Sequence, residues 1–152
     1  MLIRKMMDRD RDEVFLMMRQ FYDSPALIHK SSDRVLRQNI DDCIGENFLI
    51  DGYVFEENNE VIGYAMCSKC YTTEYGGLCI WLEDLFFKRE YRKNGRSTEF
   101  FAFLEKEYKG AVRFKLEVEE ENEAAVAAYI KNGYSISGYK VMTKEMDEEI
   151  TI

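Results

Sequence analysis

Apolar positions along the chain change their period several times, and the changes divide it into elements. Residues 2–4 read as a short strand. From about residue 10 to 22 the spacing turns helical, with Val14, Phe15, Met17, Met18 and Phe21 on one stripe. Asp23, Ser24 and Pro25 end that helix, because the residue before a proline is pushed out of helical geometry. A second helix is predicted through Val35, Leu36, Ile40 and Ile44, with Ser32 or Asp33 as its cap and Gly45 closing it.

From Asn47 the period becomes extended. Residues 48–55 and 61–71 form two strands joined across 56–60, and 78–87 form another after Gly76 and Gly77. A helix over 97–108 follows, with Phe100, Phe101, Phe103 and Leu104 on a wide apolar face, and Gly110 marks its end. Residues 112–118 alternate as a fifth strand, with Val112, Phe114, Leu116 and Val118 on one face. A last helix over 122–131 ends at Asn132 and Gly133, and strand segments follow at 134–136 and 139–145. Consecutive strands favour antiparallel pairing, whereas the strand-helix-strand unit around 97–109 demands a crossover and a parallel pair. The expectation is an α/β (mixed α+β) fold. A mixed, mostly antiparallel sheet of six to seven strands would carry helices on both faces, as a single domain over residues 1–152.

Composition narrows the partners. The chain has 152 residues, 46% hydrophobic and 14% aromatic, enough to bury a core without disulfides or metals. Its net charge of -8 and pI of about 4.8 argue against nonspecific nucleic-acid binding and suit cationic small molecules. No apolar run approaches the roughly 20 residues that cross a bilayer, and the N-terminus lacks a signal-peptide stretch, so no membrane partner and a cytoplasmic location are expected. Cys43, Cys67, Cys70 and Cys79 are then expected as reduced thiols. Cys67 and Cys70 have C-x-x-C spacing, but on a strand positions i and i+3 face opposite ways, and the single histidine, His29, lies in another element. No metal site is expected.

The segment from Trp81 to Ser97 carries the most chemistry. It runs from an apolar strand with adjacent carboxylates, Glu83 and Asp84, into a basic, glycine-containing turn that opens a helix. A helix N-terminus presents unpaired N–H groups and the positive end of its dipole, so a phosphate-bearing ligand can sit on residues 93–98. Lys88, Arg89, Arg92, Lys93 and Arg96 concentrate there in an otherwise acidic chain. The bland readings are a solvated basic patch and an edge pair of carboxylates in salt bridges.

Arg92-Lys93-Asn94-Gly95-Arg96-Ser97 resembles the Q/R-x-x-G-x-G/A turn of the GCN5-related N-acetyltransferase (GNAT) superfamily, with Arg92, Gly95 and Ser97 at the defining positions. Ser97 replaces Gly or Ala, and Arg96 replaces an apolar residue. About 30 residues on, Asn122, Ala125, Tyr129, Gly133 and Tyr134 match the family's N-x-x-A-x-x-x-Y-x-x-x-G-F/Y pattern, and the element order is similar throughout the chain. Within the superfamily, Leu82-Glu83-Asp84-Leu85-Phe86 and Ile62-Gly63-Tyr64-Ala65-Met66 resemble the diamine (spermidine/spermine) N-acetyltransferase branch.

The resemblance implies acetyl-CoA as cosubstrate, with transfer of its acetyl group to a small primary amine, and commonly a homodimer. Protein N-terminal or lysine acetylation and a nonenzymatic CoA-binding role are the other expectations it leaves open. Glu83 is implied as base and Tyr129 as the group facing the leaving thiolate, although Tyr129 also fits a core tyrosine. Asp84 is expected to anchor a second cationic group. Tyr22, beside Phe21, lines the amine pocket or packs the core. The pantetheine arm is expected along Leu85, Phe86 and Phe87, with Asn122 and Ala125 nearby. The pyrophosphate is expected on Arg92, Lys93, Asn94, Gly95, Arg96, Ser97 and Thr98. Neighbours on a regular strand face opposite sides, so one pocket holds both Glu83 and Asp84 only if a bulge re-aims one of them.

Overall fold

In the computed structural model, which describes residues 1–146, a five-stranded sheet has the order β1 (Leu2–Lys5), β2 (Ile50–Glu57), β3 (Glu60–Thr72), β4 (Gly77–Phe87), β5 (Ala111–Leu116). Neighbouring strands are antiparallel except for β4 and β5, which are parallel. Their crossover runs through α3 (Arg96–Glu107), as the strand-helix-strand pattern requires. The β2–β3 hairpin is tighter than the sequence suggests. Only Asn58 and Asn59 lie between the strands, both at positive φ (50° and 63°), the geometry that matches the twist of two paired strands.

Helix α1 (Arg11–Asp23) and helix α2 (Asp33–Ile44) cover one face of the sheet. Val14, Met17 and Met18 of α1 and Leu36 and Ile40 of α2 pack there on Val54, Tyr64, Met66 and Phe86. Ser32 is the α2 cap, its hydroxyl accepting the Val35 N–H at 3.4 Å. The alternate strand positions Tyr53, Phe55, Ala65, Cys67, Ile80, Leu82 and Phe87 turn to the other face. There they meet Phe100, Phe101 and Leu104 of α3 and, at the edge of the cluster, Tyr129 of α4 (Glu123–Lys131). Helices thus lie on both faces, as expected. The chain packs two cores against one sheet, so a residue's place in the two-residue strand alternation decides which core it joins.

The C-terminal part departs from the expectation. Residues 134–136 and 139–145 form no strand, and β5 stops at Leu116, so the sheet has five strands among the described residues rather than six to seven. Extended propensity needs a ladder partner to become a strand. Here Ile136, Tyr139 and Val141 run exposed along a cleft of about 980 Å³ beside β5 instead of pairing with it. Of the expected apolar face of β5, Phe114 and Leu116 are half-buried against the α3-side core, while Val112 is exposed. Among the described residues no helix is long and apolar enough to cross a membrane.

Where β3 passes β4 the backbones are in close contact at Gly63. A Cβ there would lie 2.4 Å from the Phe86 carbonyl oxygen and 2.9 Å from the Phe55 ring. Gly63→Ala should therefore lower stability by about 1–3 kcal/mol, as overpacking does, in chemical denaturation. Gly110→Ala, where nothing lies within 4 Å of the added carbon, is the control. Equal midpoints for the two variants would contradict the close approach.

Candidate active site

The β3–β4 register breaks at one point. Met66 pairs with Asp84 and Cys67 with Leu82, leaving Glu83 as an extra residue on β4. This is a β-bulge, and it changes which way the neighbouring side chains point. Asp84 keeps its place on the α1/α2 face with Met66 and is 3% exposed, while Glu83 is exposed and reaches Ser68 on the same side, accepting its hydroxyl at 2.5 Å. Two adjacent carboxylates that a regular strand would send to opposite faces line one pocket of about 190 Å³. Tyr22, Asn39, Ile50, Met66 and Ser68 complete its wall.

Asp84 lies at the buried end of that pocket. Tyr64 donates its hydroxyl to Oδ2 at 2.8 Å and Tyr22 to Oδ1 at 3.0 Å. Burial, which disfavours the charged form, pushes the carboxyl up to about 6 against the pull of the two phenols, and the Glu83 charge adds to the rise. Both phenols are themselves pushed well above their usual range, by burial first and then by the Asp84 charge, so they stay donors at any ordinary pH. Tyr22 therefore belongs to the pocket rather than only to the core. Tyr64, Ser68 and Asn39 were missed by sequence reasoning. Tyr64 lies within the quoted Ile62–Met66 motif, but Ser68 becomes relevant only once the strand register is known.

On the other edge of β4, pairing with β5 ends at Leu82 opposite Leu116, so residues 83–87 have no β5 partner. The Lys88 N–H donates back to Ile62 on β3, and strand amides alternate sides, which turns the Leu85 and Phe87 N–H groups to the open edge. Arg92 closes the end of this edge by donating Nε to the Phe87 carbonyl at 2.8 Å, its guanidinium over the Phe86 ring.

The turn then reaches α3. Gly95 is the N-cap at φ +73°, with open space where a Cβ would sit and no side chain capping the helix. The first-turn amides of Arg96, Ser97 and Thr98 are left for an anion. Lys93 also takes a positive φ, 67°, and Lys93, Asn94 and Thr98 are exposed around the turn. Arg96 is different: its guanidinium holds Glu57 at 2.7 and 3.1 Å and the Tyr91 carbonyl, so its side chain braces the turn and only its backbone faces the helix end. Lys88 is likewise engaged, by Glu13 and Glu60.

Tyr129 lies on the α3 side, its ring edge-on to Phe101 at 5.8 Å, and it lines the larger cleft. Burial alone raises its phenol, which carries no hydrogen bond among the described residues. Asn122 caps α4 by accepting the Ala125 N–H at 3.3 Å. Glu83 and Tyr129 thus approach from opposite faces of the sheet. No residue of the segment 23–31 lines that pocket.

A family model described as the acetyltransferase (GNAT) family matches residues 14–134. The chain belongs to the GNAT acetyltransferase family. It is accordingly an N-acetyltransferase, and GNAT enzymes use acetyl-CoA as the donor. Its fold is shared with a possible acetyltransferase from Clostridium difficile 630, at a TM-score of 0.83 and 18% identity over 96% of this chain and 97% of that one. It is also shared with aminoglycoside N-acetyltransferase AAC(6')-Iy in complex with CoA, at 0.78 and 14% over 95% and 93%. Ribosomal-protein-alanine N-acetyltransferase from Brucella melitensis biovar Abortus 2308 superposes at 0.76 and 10% over 95% and 98%. No curated protein matches the chain. The branch within the GNAT family is not distinguished by these likenesses, which at such identities show the fold. The uncapped α3 N-terminus and the open β4 edge fit the diphosphate and the amide-rich arm of CoA.

Two outcomes follow from this geometry. Gly95→Glu adds a negative charge at the uncapped N-terminus of α3 and forces a side chain into the left-handed region, so CoA affinity in calorimetry should fall about tenfold or more; unchanged affinity would remove the turn from the cofactor site. The second concerns Asp84. Its folded carboxyl titrates at about 6 against 3.8 ordinarily, so the stability it confers is present in full below pH 4 and is lost as pH rises through 6. The loss amounts to on the order of 3 kcal/mol at pH 7. Asp10 and Asp51, held below the usual range by Arg4 and Lys5, slope the other way, so the variant must be compared with the parent. Asp84→Asn should gain stability relative to the parent between pH 4 and 7. Parallel stability curves would show that Asp84 is not the titrating group.

Proposed function

We propose that this GNAT enzyme moves the acetyl group of acetyl-CoA onto a small primary amine carrying a second cationic group, such as a polyamine, a diamine or a basic amino acid. The observation that carries this reading is the bulge at Glu83, which brings two carboxylates of unequal depth into one pocket. The motif resemblance to the diamine branch supports the same substrate class. Asp84, gripped by two phenols at the buried end, suits the remote cation. A bound cation would draw the carboxyl back toward its charged form.

A lysine-like amine has a pKa near 10.4, so only about one molecule in 10³ is neutral at pH 7. Glu83 accepts the ammonium proton, directly or through a water, with Ser68 holding the carboxylate in place. Acetyl-CoA supplies the acetyl group and departs as a thiol. The Leu85 N–H on the open edge donates to the acetyl oxygen as negative charge gathers there. Burial keeps the Tyr129 phenol protonated, so it can donate to the departing sulfur. A protein N-terminus or lysine is the second reading, favoured by the absence of the segment 23–31 from the pocket wall, since a small-molecule enzyme would close its pocket there.

Thiol release from acetyl-CoA, measured against polyamines, diamines, amino acids and short peptides, tests both readings. Turnover is expected on the di-cationic small amines, at least 10²-fold slower in Glu83→Gln. Turnover confined to peptides would select the second reading. Tyr129→Phe should lower kcat about tenfold with acetyl-CoA affinity unchanged, and an unaltered kcat would release Tyr129 from the acid role.

A further inference from the structure

Cys70 and Cys79 were not paired by any sequence motif, yet the β3–β4 register places them directly opposite each other. Directly paired residues point to the same face of a sheet. The Lys69 N–H donates to Leu49, away from β4, so by alternation Cys70 and Cys79 occupy a hydrogen-bonded pair, with a Cα separation of about 5.5 Å. That lies at the centre of the range a disulfide spans. The two thiols are close enough that Cys70 adds to the effect of burial in pushing Cys79 up to about 11, while Lys115 and Arg113 oppose it. Cys70 is exposed and Cys79 fully buried, whereas Cys67 is buried and Cys43 half-buried in other parts of the fold, with burial raising both thiols.

We infer that Cys70 and Cys79 are a thiol–disulfide exchange site, which a small exogenous disulfide such as oxidised glutathione converts into a cross-strand disulfide between β3 and β4. Cys70 as thiolate attacks one sulfur of the reagent, forming a mixed disulfide and releasing one glutathione thiol. Cys79 loses its proton and attacks the Cys70 sulfur, which forms the protein disulfide and releases the second glutathione thiol. The protein gives up two protons and two electrons, and the reagent takes both as it becomes two glutathione thiols. Exposure and burial assign the order: the exposed thiol meets the reagent and the buried one resolves. Cys79 is on the same strand and face as Trp81 and borders the larger cleft, so the bond would fasten the wall of that cleft.

The native protein, incubated with oxidised glutathione at mildly alkaline pH, is to be followed by thiol titration and intact mass, then mapped by proteolysis without reduction. Loss of two of the four thiols, a mass lower by two hydrogens and a Cys70–Cys79 cross-linked peptide, all reversed by dithiothreitol, are expected. Cys79→Ser should instead hold one glutathione on Cys70, and Cys70→Ser should keep its thiols. A lasting glutathione adduct on Cys70 in the parent, a bond between Cys43 and Cys67, or no thiol loss would each overturn the assignment.

Discussion

The structure turns on one extra residue in β4. With Ile80 and Leu82 on the α3 side, a regular antiparallel ladder between β3 and β4 would send Asp84 into the α3 core and leave Glu83 alone on the α1/α2 side. A carboxylate driven into the α3 core would be costly, because the positions around it are Phe87, Leu82 and Phe101. The bulge avoids that cost and resets the phase of the strand. Ile80 and Leu82 stay in one core, Asp84 and Phe86 in the other, and both acids share a cavity. It also coincides with the point where β4 parts from β5, so the strand that carries the acids on one face opens a row of amides along its edge.

Asp84 shows how the two cores and the site constrain each other. Its burial against α1 and α2 raises the carboxyl, and the Tyr22 and Tyr64 hydroxyls offset only part of that rise. A buried acid that is incompletely compensated favours the neutral form in isolation and welcomes a cation. Tyr22 joins the end of α1 to the site, so the packing of α1 through Val14, Met17 and Met18 sets the depth of the pocket. At the opposite end of β4, Arg92 and Arg96 fasten the turn to strand backbone and to Glu57. The uncapped helix end is braced by side chains that themselves look elsewhere.

The glycine turn at the start of α3 was legible because its backbone requirements are local. Gly95 at a helix start, small polar neighbours and a preceding apolar strand are all readable in a short window, and the positive φ at Gly95 accords with that reading. The adjacent acids were equally visible, but their sharing of a pocket was conditional on a bulge whose position depends on the pairing of β4 with β3. Ser68 escaped notice for the same reason, and Tyr64, although part of a quoted motif, was given no role until the register set it against Asp84. The terminal strands failed differently: Tyr139 and Val141 alternate as a strand should, yet propensity alone supplies no ladder, and the segment runs beside β5 without joining it.

The order of elements up to α4, the antiparallel run with its single crossover, the α2 cap and the glycine turn before α3 were determined by the sequence itself, since each depends on residues close along the chain. Strand register, the face each acid takes, the unequal exposure of Glu83 and Asp84, and the meeting of Cys70 with Cys79 were decided only by the tertiary structure. These depend on which residue of one strand stands opposite which residue of another. A shift of one position reverses every side chain, and only packing on both faces at once selects the shift.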